Sequence, residues 1–142
     1  LTNIVKDIAH DLQKGRCYIP ETMLTEVGLK PKDLLAQKCL PQLRSVVNKL
    51  IHMAVEHLDQ GWAYTMAIPR HETRLRLACM WPILSAGESL KLVMNSPDLL
   101  NPAVKVKIPR SKVYQIMAMT TGTIACGYAG TAYWGHLRKQ IV

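Results

Sequence analysis

Asn3, Asp7 and Asp11 recur at four-residue intervals near the start of the chain. On a helix, that spacing stacks one amide and two carboxylates along a single face. Two carboxylates one turn apart repel each other by roughly 0.2–0.5 kcal/mol when nothing lies between them. A divalent cation removes the repulsion, and a ligand set made only of oxygen suits Mg²⁺. Mg²⁺ is usually held by one or two carboxylates together with substrate phosphates. The triplet therefore has the composition of half a diphosphate-binding site. By itself it is equally the composition of a solvated acidic helix face.

The element that must position these residues is a helix running from before Leu1 to about Lys14, ended by Gly15 in the left-handed position after its C-cap. Arg16 to Pro20 then leaves as an extended segment. Pro31 suits the first turn of a short helix through Lys38, with Lys30 extended before it. The clearest periodicity lies further on. Leu43, Val46, Val47, Leu50, Ile51, Ala54, Val55, Leu58 and Trp62 repeat at three- and four-residue steps, as one face of a long amphipathic helix does. That helix is expected from Pro41 to about Ala67, stopping at Ile68-Pro69. Gly61 on it allows a close neighbour or is simply tolerated. A further helix is expected from about His71 to Met94, kinked where Pro82 removes a backbone hydrogen bond. A loop follows from Asn95 to Lys107, and a last helix begins near Pro109.

The composition bounds the rest. With 49% apolar and 20% charged residues in 142, the chain is globular and long enough for one core. It has no Phe, and Leu, Met, Ala and Ile carry the apolar content, which favours helix. The fold class read from this is all-α, with no strand-like alternation and no internal repeat. The net charge of +8 invites a nucleic-acid partner. The basic residues are scattered and lack a recognition motif, so no nucleic acid is expected. Cys17, Cys39, Cys79 and Cys126 form no CxxC pair, and His52, His57, His71 and His136 no HxxxH or HExxH pattern, so neither structural zinc nor a zinc hydrolase is expected. Val113 to Gly135 carries no charge and is long enough to span a bilayer. Its threonines and its glycines (Gly122, Gly127, Gly130, Gly135) read better as broken core helix or as a surface grazing a membrane.

The run around the triplet carries a fuller signature. Asn3, Ile4, Asp7, Asp11, Gly15, Arg16, Tyr18 and Pro20 match, in one register, N-I-x-R-D-x-x-x-D-x-x-x-G-R-x-Y-x-P. This resembles the second aspartate-rich motif of the squalene/phytoene synthase family. Lys6 stands where that pattern usually has arginine, keeping the charge and losing the bidentate fork. Gly61 to Pro69 and Arg74 to Pro82 look like the bacterial squalene-synthase branch, and Val104 to Val113 resembles the family's basic V-K-[IV]-x-R segment. The resemblance covers about residues 1 to 120.

The resemblance implies an all-α isoprenoid-synthase-type bundle and a Mg²⁺-dependent head-to-head prenyl transferase. Asp7 and Asp11 would be catalytic, and Asn3, Asp7 and Asp11 the metal ligands. Lys6, Arg16, Tyr18, Lys107 and Arg110 would bind substrate, the cations by neutralising phosphate. The implied reaction joins two farnesyl diphosphates through presqualene diphosphate to squalene, with NADPH as reductant. The alternatives are phytoene or dehydrosqualene synthase and, from another class, a non-catalytic scaffold relative. Family members carry a first DxxxD motif upstream, whereas Asp33, Asp59 and Asp98 each stand alone here. Residues 1–142 are therefore expected to be one helical unit, the C-terminal half of the domain, partnered by an N-terminal half with that motif. The expected location is cytoplasmic, with peripheral membrane contact. Carbocation chemistry needs a dry cavity. Tyr18, Trp62, Tyr64 and Trp81 could offer π faces to a cation or be plain core, and Glu88 is either a paired core carboxylate or a pocket group.

Overall fold

A computed structural model describes residues 1–35, 39–103, 106–123 and 128–142. Cys126, Gly127, the Val104-Lys105 part of the basic segment and the end of the helix expected through Lys38 lie outside the described residues. The elements are α1 (Thr2–Lys6), α2 (Ile8–Gln13), α3 (Glu21–Thr25), a 3₁₀ turn (Pro31–Leu35), α4 (Leu40–Ala67), α5 (Thr73–Met94), α6 (Arg110–Thr123) and α7 (Tyr128–Ile141). The fold is all-α, and no strand occurs among the described residues.

The expected first helix is in fact two, meeting at Asp7, whose φ of −102° and ψ of 14° fall outside the helical well. The break does not shift the register. Asp7 N–H still donates to Asn3 O and Asp11 N–H to Asp7 O, each at 2.9 Å, so the three side chains stay one turn apart. Val5, Ile8 and Leu12 on the other side are buried. That amphipathic split docks the pair of helices and turns the oxygen-bearing face outward.

Gly15 ends α2 as its position implied. Its φ is +71°, Arg16 N–H reaches Asp11 O at 2.9 Å and Gly15 N–H reaches Leu12 O at 3.0 Å. These two bonds make a Schellman closure. The same device recurs at Gly28, with φ +72° and Leu29 N–H on Leu24 O, and it closes α3, a helix the sequence reading passed over.

The long helix runs from Leu40 to Ala67, within a residue of the expected start, and its periodic residues are buried except Leu58, which is partly buried. Helix α5 is continuous through Pro82 and antiparallel to α4, with Gly61 set against Ile83 and Arg44 bonded to Val93 O. Helix α6 runs back along α5, pairing Lys112 with Glu88 and Thr120 with Trp81. Helix α7 runs parallel to α5, with Gly130 on Met80 and Gly87 on Trp134. The uncharged stretch 113–135 thus contributes to two helices that pack on α5 and on each other. Among the described helices only α5 is long and apolar enough to cross a membrane. It packs against α1, α4, α6 and α7, and it buries both Arg76 and Glu88.

Close approach is what the small residues serve. A Cβ on Gly87 would lie 2.9 Å from the Trp134 ring and 3.3 Å from Leu137 Cδ1. Trp134 cannot yield freely, because its Nε1 donates to Asp59 at 2.9 Å and its ring stacks on Trp62. Gly87→Ala gains up to about 1 kcal/mol of helix propensity and forces an overlap costing about 1–3 kcal/mol. A net loss of roughly 1 kcal/mol is expected in urea unfolding, and a gain would show that α7 can slide.

Candidate functional site

The carboxylate of Asp7 stands half exposed beside Lys6, whose Nζ lies 3.5 Å from Oδ2. Asn3 is exposed, and Asp11 is partly exposed. Accessible oxygen donors one turn apart leave coordination positions open to water and phosphate, so the residues fit Mg²⁺ as ligands. Among the described residues no three His, Cys, Asp or Glu side chains converge into a complete metal cage. Two carboxylates and an amide are a partial ligand set of the kind Mg²⁺ shares with a phosphate.

Asp11, Arg16 and Tyr18 line one small cleft with Ile4, Ile8 and Leu12. The Gly15 turn achieves this by folding Arg16 back beside the end of α2. Tyr18 is 53% exposed and Tyr64 65%, so neither is core. Asn3 faces a different depression of about 340 Å³, formed with Thr2 against Pro82, Ser85, Ala86 and Ser89 of α5. Lys107 and Arg110 are exposed at the start of α6. They do not line the Asp11 cleft. They do not line the Asn3 depression either.

The candidate aromatics divide cleanly. Trp62 is buried and stacked on Trp134 at 6.1 Å between ring centres. Trp81 donates Nε1 to Thr120 Oγ1 at 2.9 Å. Both serve the core.

Glu88 is a paired core carboxylate, 6% exposed. It accepts the Tyr133 hydroxyl and pairs with Lys112 Nζ at 3.4 Å, while that ammonium lies 5.6 Å from the Tyr133 ring centre. The group ties α5, α6 and α7 together beside a groove of about 320 Å³ lined by Leu92, Ile108 and Pro109. The sequence offered no signal for it beyond a lone Glu on an apolar stretch. Hydrogen bonding to Tyr133 and then the Glu88 charge push Lys112 up, and burial and then the Glu88 bond push Tyr133 up. Both groups hold their protons more tightly folded than unfolded. Their contribution is complete below about pH 10 and is lost as pH rises through the raised values. Thermal stability should stay level from pH 7 to 9 and fall above about pH 10. Tyr133→Phe should cost about 1 kcal/mol at pH 7 and flatten that alkaline fall in melts taken to pH 11. An unchanged alkaline slope would mean the cluster does not control it.

The geometry so far defines a class: an all-helical bundle with an oxygen-donor face on its first helices and an arginine turned back beside it. The squalene/phytoene synthase family profile matches residues 1–112, and the chain belongs to that family of prenyl transferases. Phytoene synthase 2, chloroplastic, of Solanum lycopersicum is 31% identical over 86 residues, covering 61% of this chain and 26% of that protein. The 15-cis-phytoene synthase of Enterobacter agglomerans is 31% identical over 88 residues, 62% of this chain and 28% of its own length. The bifunctional lycopene cyclase/phytoene synthase of Podospora anserina is 27% identical over 97 residues, 68% of this chain and 16% of its own. The matched part thus spans less than a third of each of these relatives. No solved structure matches the chain significantly.

Proposed function

We propose that the protein to which this chain belongs joins two prenyl diphosphates head to head. The observation that carries the reading is the one-turn spacing of Asn3, Asp7 and Asp11 on an outward face of a chain in this family. When bound there, Mg²⁺ would neutralise the charge that builds on a departing diphosphate. The two carboxylates and the Asn3 amide would hold that cation. Arg16 would bind phosphate oxygens in a bidentate fork, and Lys6, released from Asp7, would add a point charge. Lys107 and Arg110 are proposed for the same anion from the α6 side, and Tyr18 for the mouth of the Asp11 cleft. The remaining metal ligands are assigned to an upstream DxxxD segment.

The product is where the first expectation shifts. The similar proteins above are named phytoene synthases, which supports a phytoene-type product over squalene. NADPH then drops out, since it belongs to the reductive squalene outcome. An apolar product and the exposed aromatic side chains Tyr18 and Tyr64 support peripheral membrane contact. The test uses the full-length protein with Mg²⁺ and either farnesyl or geranylgeranyl diphosphate, with and without NADPH. A C40 hydrocarbon made without NADPH is expected. Squalene that appears only with NADPH would return the assignment to squalene synthase. No hydrocarbon with either substrate would leave the scaffold reading.

A further inference from the structure

The last turn of α4 and the first turns of α5 and α7 meet on one sulfur atom. Met66 Sδ accepts Arg76 Nη2 at 3.3 Å and Thr131 Oγ1 at 3.7 Å. Arg76 is 3% exposed, and its Nε and Nη1 have no hydrogen-bond partner among the described residues. A thioether is a weak, uncharged acceptor, so it leaves most of a buried guanidinium's demand for oxygen unmet.

Met66 differs from its neighbours in access. It is only partly buried, packed against the cluster that includes Trp62 and Met80. Part of its side chain therefore stays open to a small oxidant in solution. Met80, 1% exposed, does not.

From this arrangement we infer that Met66 is an oxidation site whose sulfoxide is held by Arg76 and Thr131. Oxidation there tightens the corner between α4, α5 and α7. Hydrogen peroxide supplies the chemistry: the sulfur attacks one peroxide oxygen, the O–O bond breaks, an S–O bond forms, and the other oxygen leaves as water. The sulfur gives up two electrons and the peroxide takes them. In most cores the change is disruptive, because it sets a polar group in an apolar contact. Here the new oxygen is a strong acceptor facing a cationic donor, and hydrogen bonds of that kind are about twice as strong as neutral ones. To bring the oxygen to a normal N–H···O length, the sulfur must draw back by about 1 Å. The rotatable bonds of a partly exposed methionine allow that movement. Methionine sulfoxide reductases reverse the step, so redox conditions set which of two states the corner holds.

The test exposes the full-length protein to hydrogen peroxide under native conditions and maps the added oxygen by peptide mass spectrometry. Met66 should oxidise well before Met80. The change in Tm on peroxide treatment should be about 4 °C more favourable in the wild type than in Met66→Leu, which suffers the same oxidation at every other methionine. Met66→Gln places a carbonyl oxygen at similar reach without any oxidant. It should raise Tm by a comparable amount, and the gain should vanish when combined with Arg76→Met. Met66 that oxidises no faster than Met80 overturns the inference. So does a peroxide shift no better in the wild type than in Met66→Leu. A Met66→Gln gain that persists with Arg76→Met overturns it as well, because the guanidinium would then have no part in holding the oxygen.

Discussion

Asp7→Asn is expected to lower turnover of the full-length protein by about 100-fold or more, with the fold unchanged. Asp7 sits between Asn3 and Asp11, one helical turn from each, so a cation bound by either neighbour is within its reach. An amide keeps the shape and one oxygen donor but loses the negative charge that holds a divalent ion against a leaving diphosphate. Two small electrostatic effects on stability oppose each other. Losing the like charge of Asp11 one turn away stabilises by a few tenths of a kcal/mol. Losing the 3.5 Å pair between half-exposed Asp7 and Lys6 costs a similar amount, since exposed pairs contribute about 0–1 kcal/mol. Melting without Mg²⁺ should therefore stay within about 0.5 kcal/mol of wild type. Full activity in the variant would remove Asp7 from the metal site. Outright unfolding would show that the residue works at the junction of α1 and α2.

That junction also shows where sequence reasoning stopped. The four-residue spacing is the same for one continuous helix and for two helices joined at a non-helical Asp7, so spacing alone could not reveal the break. The decision belongs to packing of α1 on α4 and α5. Long-range order was legible where one helix face was uniformly apolar, as from Leu43 to Trp62. It was legible again where a glycine had a single stereochemical use, as at Gly15. Helix α3 escaped because five residues burying one Leu24 leave no measurable period. Its signal was local: Pro20 and Glu21 at the start and Gly28 just past the end. The Glu88 cluster escaped for a different reason. Its partners come from α6 and α7, and nothing about a single Glu says which later residues will meet it. The eight-position match at residues 3 to 20 found the oxygen face and Arg16 together.

Arg76 gives the other large expected effect, and its direction is the opposite of the usual one for a core substitution. The residue is 3% exposed, and its Nε and Nη1 have no hydrogen-bond partner. Its Nη2 reaches only Met66 Sδ at 3.3 Å, a weak acceptor. Removing a guanidinium from water costs several kcal/mol unless a carboxylate or several carbonyls replace the lost hydration. No salt bridge to Arg76 occurs among the described residues. Arg76→Met keeps the length and the apolar stem, packs beside Met66 and Met80, and abolishes the buried charge. It should raise stability by about 1–3 kcal/mol, which for a chain of this size is roughly 4 °C in Tm per kcal/mol. The measurement is paired thermal and urea unfolding of the two proteins at neutral pH. A drop of more than about 1 kcal/mol would mean that the guanidinium has partners in the complete protein. Turnover of the same variant then completes the argument. Stability that rises while activity falls would identify Arg76 as a residue kept for function at the expense of the fold.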